Sequence, residues 1–202
     1  MRSLATIAWH VTEHPSLVPR LPNLSDDEVL HTVALSAYFG HLNRIADAVG
    51  VPLDYPVKHT PSHAEPAVPA LVGVNANVTK TKKPTITIEQ RPATAEKLAD
   101  WAAYVFDRDT EALARERRVR IRRHVELLLG AHEATVVGDD LERDLLALTD
   151  IVTLAPWKID DATYAPLRAR GFDDAALFDA CVVATTAGVT ARITVALAAL
   201  AR

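Results

Sequence analysis

The chain has 202 residues, enough for one generous domain or for two small helical units that share a core. Apolar residues make up 49% and charged residues 24%, while aromatic residues reach only 5%, so a core of Ala, Val and Leu is expected, which favours helix packing over a β-sandwich. The net charge of -4 lacks the basic excess that phosphate contacts need, so no nucleic-acid partner is expected.

The first strong element is a helix predicted over residues 25–49. Ser25 and Glu28 have the spacing of a capping box, in which each side chain bonds a backbone N–H of the other residue. Gly50 is placed to end the helix in the left-handed conformation. The apolar residues between these signals recur close to the helical period: Leu30, Val33, Ala34, Ala37, Leu42, Ile45 and Val49. A shorter helix is predicted upstream, over residues 4–13.

A proline-rich connection is predicted over residues 56–92. Seven of the twelve prolines fall within residues 52–92, and no helical period survives among them. Residues 85–89 alternate like a strand, but a strand without a partner is expected to be extended chain only. The connection should therefore run over the surface between two helical units.

Helical periodicity resumes after the prolines. Five more helices are predicted, over residues 93–106, 111–129, 141–154, 161–170 and 174–201. The sequence thus predicts an all-α fold in one compact domain. Its parts are a first helical unit over residues 1–55, the connection, and a second helical unit over residues 93–202.

The last helix matches the first strong helix without a gap when it is shifted by 148 positions. The identical pairs are Asp26 and Asp174, Gly40 and Gly188, Arg44 and Arg192, Ile45 and Ile193, Ala48 and Ala196. Upstream, Val11-Thr12-x-x-Pro15 matches Val152-Thr153-x-x-Pro156, and each motif ends a helix. These matches predict an internal duplication, with the two units packed around a pseudo-twofold core.

The run AYFGHLNRIADAVGVP, residues 37–52, carries a family resemblance. It resembles a helix of the alkylhydroperoxidase D-like proteins, in the peroxidase-related branch of the carboxymuconolactone decarboxylase superfamily. That branch has a recurring Tyr-Phe-Asn-x-x-Asn-Arg-x-x-Asp-x-Leu-Gly-Val pattern, and here Gly40 replaces the first Asn. The segment 145–170 is similar to the same branch. The resemblance implies packed helices and a homo-oligomer.

The chain differs from that family in its catalytic residues. Active members carry Glu, Cys-x-x-Cys and His on a pair of helices, and the two thiols cycle between dithiol and disulfide. This chain has one cysteine, Cys181, so no catalytic residue of the family can be transferred to it and no dithiol cycle is expected. Cys181 falls at the position of Val33 in the duplication, which favours a buried small hydrophobe. A one-cysteine peroxidase that passes through sulfenic acid is the alternative.

The richest polar cluster lies on the first strong helix and consists of Tyr38, His41, Asn43, Arg44 and Asp47. In one interpretation it is an interior or interface hydrogen-bond network, with Arg44 and Arg192 holding the helices in register. In the other it lines a pocket, where His41 acts as acid and base and Arg44 binds an anion.

Two further patterns are judged less informative. His10-Val11-Thr12-Glu13-His14 has the spacing of inverted zinc metalloproteases, but Pro15 places His14 at a fraying helix end, so no metal is expected. The basic run is interrupted by Glu116 and followed by Glu126, which predicts a salt-bridged surface or a subunit contact. Its members are Arg115, Arg117, Arg118, Arg120, Arg122 and Arg123.

The sequence therefore predicts a cytoplasmic homo-oligomer without cofactor, metal or membrane partner. The leading function is that of a divergent alkylhydroperoxidase D-like protein that binds or senses a small molecule without dithiol peroxidase activity. A cofactor-independent acid–base enzyme of the carboxymuconolactone decarboxylase type, using His41 and Arg44, is one alternative. A one-cysteine antioxidant protein that reduces hydroperoxides through Cys181 is the second. A structural partner that docks through the basic helix and the proline-rich segment is the third.

Overall fold

The computed structural model describes residues 2–51, 86–131 and 140–202. Within them lie seven α-helices: α1 (Arg2–Glu13), α2 (Asp26–Ala48), α3 (Pro92–Phe106), α4 (Arg115–Leu128), α5 (Asp140–Leu154), α6 (Asp161–Ala169) and α7 (Asp174–Leu200). Short 3₁₀ turns occupy Pro15–Leu17, Ile88–Gln90 and Pro156–Lys158. These three ranges contain no strand, which confirms the all-α class. Most of the predicted proline-rich connection, residues 52–85, lies outside the described residues.

Helix α7 is the centre of the fold. Helices α1 to α5 all pack on it, and most of its side chains are buried. A helix that is apolar around its whole circumference must be buried or lie in a membrane. Among the described helices α7 alone is long and apolar enough to cross a membrane, but 83% of its apolar window is buried inside the protein. Its place in the core accounts for its composition.

The hydrophobic core has two halves that share α7. One half packs α1 and α2 against the C-terminal part of α7, with Ile7, Val33 and Leu197 among its members. The other packs α4 and α5 against the N-terminal part, with Ile121 and Leu145 among its members. The first and last helices of the chain thus pack together in one half of this core.

Local signals set most helix boundaries. The capping box of α2 is present: the Ser25 N–H donates to Glu28 Oε2 at 2.8 Å, and the Glu28 N–H donates to Ser25 Oγ at 3.2 Å. Gly50 follows this helix with a φ of 66°. Helix α4 begins later than predicted, at Arg115, whose N–H donates to the Asp109 carboxylate at 3.0 Å.

Candidate functional site

Arg44 and Arg192 occupy equivalent positions in the predicted duplication, and each bonds a helix end in the opposite unit. Arg44 on α2 donates from Nε to the Thr153 carbonyl at 3.1 Å, at the C-terminal end of α5. Arg192 on α7 donates from Nε to the Thr12 carbonyl at 3.2 Å, at the C-terminal end of α1. Each arginine therefore caps the short helix of the other unit, where the last carbonyls lack a partner within their own helix.

Each arginine also folds back onto its own helix. Arg44 Nη1 donates to the Gly40 carbonyl at 2.9 Å, and Arg192 Nη1 donates to the Gly188 carbonyl at 3.3 Å. A Cβ atom at either glycine would lie 2.8 Å from the guanidinium, so a side chain there would displace it. The shared Gly-x-x-x-Arg spacing is thus a structural motif.

These contacts bear on the predicted anion site. Arg44 is only 7% exposed and Arg192 only 3%. Burial, together with the neighbouring charge of Arg44, lowers the pKa of Arg192 to about 9. Two helix C-termini, which carry partial negative charge, face these cations. The geometry supports the interpretation in which the arginines hold the helices in register.

Cys181 lies in the core, as its valine counterpart suggested. It is 2% exposed and packs with α4 and α5 residues. Burial raises the pKa of its thiol to about 11, an effect that the Tyr164 hydroxyl, 3.9 Å from Sγ, partly opposes. The thiolate is the nucleophile in peroxide chemistry, so a thiol held protonated at neutral pH is poorly suited to it.

A cavity of about 770 Å³ lies between α2, α3 and α7. Its walls are mostly apolar, with Leu30 and Leu35 from α2, Leu98 from α3, and Val189 and Ile193 from α7. Both volume and lining are typical of sites for small organic molecules. The cavity is the concave site that the sequence did not reveal.

His41 belongs to the wall of this cavity and sits in a group of aromatic rings. Its ring centroid is 4.8 Å from that of Trp101, edge to face, and 6.3 Å from that of Tyr38, stacked. His41 is 8% exposed, whereas Tyr38 is 46% exposed. Burial lowers the pKa of His41, and a backbone hydrogen bond at Thr185 opposes that shift. The imidazole is therefore held neutral near neutral pH.

Polar side chains of the cavity include two cations, Arg91 and Lys97. Arg91 pairs with Asp27 at 2.5 Å, and Lys97 lies 3.4 Å from Asp100. All four side chains are largely exposed, so these ion pairs hold their partners only weakly. Among the described lining residues there is no carboxylate, and the wall is thus neutral or positive.

The remaining predicted site residues lie elsewhere. Asn43 and Asp47 are exposed on the far side of α2, and neither lines this cavity. Across the described ranges no group of three or more His, Cys, Asp or Glu could hold a metal ion. The absence of a metal site stays a prediction for the whole chain.

The basic run forms salt bridges, as predicted, but one of its arginines is buried rather than at the surface. Arg120 pairs with Glu116 at 2.7 Å on the surface of α4. Arg118, however, is buried, and it pairs with Asp179 of α7 and donates to the Val105 carbonyl at 3.0 Å. Nothing in the sequence singled out Asp179, which lies 61 residues from its partner.

Sequence reasoning also missed the α3 wall of the cavity. The helix over residues 93–106 was predicted, but neither Trp101 nor Lys97, one helical turn before it, was assigned to a site. The available signal was the contrast within the duplication, where Tyr38 and His41 correspond to Thr186 and Val189. Aromatic or titratable residues that occur in one copy of a repeat, but not at the equivalent positions of the other copy, indicate a specialised surface in the first copy.

A scan against family models and searches of curated proteins and of solved structures found no match to this chain. The resemblance to the alkylhydroperoxidase D-like proteins therefore stays a prediction. So do the cytoplasmic location, the homo-oligomer and the absence of a cofactor.

Proposed function

We propose that this protein is a divergent alkylhydroperoxidase D-like protein that binds a small apolar molecule in the cavity between α2, α3 and α7, without thiol chemistry. The observation that carries the proposal is the cavity itself, about 770 Å³ with Leu, Val and Ile walls. Apolar walls open to solvent gain free energy when a ligand covers them, at roughly 25 cal/mol per Å².

The enzymatic alternatives have less support in the geometry. An acid–base enzyme would need Arg44 free to bind a substrate anion, but its guanidinium bonds the Thr153 and Gly40 carbonyls. A one-cysteine peroxidase would need an accessible thiolate, but Cys181 is buried and protonated. Ligand binding requires neither group.

The proposal is tested with the fluorescent probe 1-anilinonaphthalene-8-sulfonate, an anion whose aromatic rings are apolar. We expect the folded protein to bind it saturably and with increased emission. Ala34 lines the cavity and is half-buried on α2. Ala34→Phe should fill part of the cavity and weaken binding by about tenfold, which corresponds to roughly 1.4 kcal/mol.

The matched control is Ala46→Phe. Ala46 is also half-buried on α2, but it does not line the cavity. This variant should bind the probe as the unmodified protein does. Equal loss in both variants, or no saturable binding to the unmodified protein, would contradict the proposed function.

A further inference from the structure

One buried polar atom of the cavity wall has no partner. Six buried side-chain nitrogen or oxygen atoms among the described residues make no hydrogen bond: His10 Nδ1, His41 Nδ1, Arg108 Nε, His124 Nδ1, Thr153 Oγ1 and Thr186 Oγ1. Of these, His41 Nδ1 is the one whose residue lines the cavity. A buried polar group without a partner is unfavourable, and at a binding site a ligand can supply the missing bond.

The neighbouring hydrogen bond fixes what His41 Nδ1 can do. The backbone of Thr185 raises the pKa of His41, as a carbonyl that accepts an imidazole N–H does. Because Nδ1 has no partner, we infer that this bond is made by Nε2. A neutral imidazole that donates from Nε2 carries a lone pair on Nδ1, so Nδ1 is an acceptor and needs a donor from the ligand.

The charge of the lining narrows the choice of donor. A hydroxyl, a neutral N–H or an ammonium group could each donate to Nδ1. Arg91 and Lys97 line the cavity and already pair with Asp27 and Asp100, and its described wall has no carboxylate of its own that could pair with an ammonium. Taking a cation into such a wall is unfavourable, which leaves a hydroxyl or a neutral N–H.

Nδ1 is closed off from solvent. The half-exposed Tyr38 ring stacks over His41, while Trp101 contacts His41 from α3. Of the two rings Tyr38 is the freer to move, because it lies at the surface.

We propose that the cavity is selective for apolar molecules that carry a hydroxyl or neutral N–H group, which donates to Nδ1 of His41 once Tyr38 rotates outward. This inference rests on the proposed function, because it assigns the chemical class of the ligand for the same cavity. It makes His41 a specificity residue rather than an acid–base catalyst.

The experiment compares three probes by their ability to displace 1-anilinonaphthalene-8-sulfonate at neutral pH: 2-naphthol, 2-methoxynaphthalene and 2-naphthylmethylammonium. The first has a neutral donor, the second has none, and the third has a charged donor. We expect 2-naphthol to bind about tenfold more tightly than either of the others, since one buried hydrogen bond contributes roughly 1 kcal/mol or more.

Two variants assign the preference to its residue. His41→Leu should abolish the preference for 2-naphthol while it keeps binding of 2-methoxynaphthalene. Tyr38→Ala should keep the preference and speed the association of 2-naphthol. In the unmodified protein the ¹⁵N resonance of His41 Nδ1 should shift when 2-naphthol binds and not when 2-methoxynaphthalene binds.

The outcomes separate the two proposals. Equal binding of 2-naphthol and 2-methoxynaphthalene would overturn the inference and leave the proposed function intact. A preference that survives in His41→Leu would also overturn it. Failure of all three probes to displace the fluorescent probe would count against this inference and against the proposed function.

Discussion

Cys181 and His41 are titratable residues that burial holds uncharged, and the consequences differ. The Cys181 thiol, placed in the α4–α5–α7 core, is held protonated and so lacks the reactivity of a thiolate. The His41 imidazole, placed in a cavity wall, keeps an unused acceptor. Surroundings rather than residue type therefore decide which of the two can meet a ligand.

The Cys181 environment predicts a pH dependence of stability. Its pKa is raised from 9.0 to about 11, so the unfolded chain loses the thiol proton before the folded one does. The stabilisation is fully present below pH 9 and is lost as the pH rises through about 11, by roughly 3 kcal/mol in all. Urea unfolding at several pH values should show this loss in the unmodified protein and not in Cys181→Val. Parallel curves for the two proteins would contradict the expectation.

At the scale of elements, the exchanged arginine caps join the two helical units. Arg192 adds a bond from Nη2 to the Thr153 carbonyl at 3.2 Å, so both arginines meet at the end of α5. Helix α7, through Asp179, also holds α4 by its ion pair with Arg118. Long side chains that reach a neighbouring helix thus set how the elements pack, beyond the apolar contacts.

The glycine–arginine spacing predicts a sign reversal in a double-mutant cycle. Gly40→Ala alone should destabilise the protein by about 1–2 kcal/mol, because the new methyl group displaces the Arg44 guanidinium and its buried hydrogen bonds are lost. In an Arg44→Met background the same substitution should stabilise by up to about 1 kcal/mol, since alanine favours helix. Chemical unfolding of the four proteins measures the coupling. Gly188→Ala with Arg192→Met should repeat the pattern, and simple additivity at both sites would argue against it.

At the scale of the whole molecule, the two long helices are covered unequally. On α7, Val183, Thr186 and Ala187 are buried under the packing of other helices. The matching residues of α2, Leu35, Tyr38 and Phe39, are exposed, and Leu42 extends this stripe. An exposed apolar stripe on a helix is typical of an interaction surface.

We therefore expect this α2 stripe to support the homo-oligomer that the family resemblance implied. Phe39→Glu combined with Leu42→Glu should shift the protein towards the monomer in light scattering coupled to size exclusion. Leu17→Glu is the control, because Leu17 is an exposed leucine on the 3₁₀ turn, away from the stripe. A monomeric unmodified protein at micromolar concentration would contradict this prediction.

The sequence by itself determined the features that depend on neighbours along the chain. Helix periodicity, the Ser25 capping box and the glycine stop at Gly50 are local, whereas the missing second thiol and the repeat that pairs Arg44 with Arg192 follow from comparing residues along the whole sequence. Tertiary structure decided what those residues contact: Arg44 meets a carbonyl 109 residues away, and the cavity joins helices from three distant segments. Local hydrogen bonds and burial patterns depend on residues a few positions apart in the sequence, whereas a cavity exists only where packing between helices is incomplete.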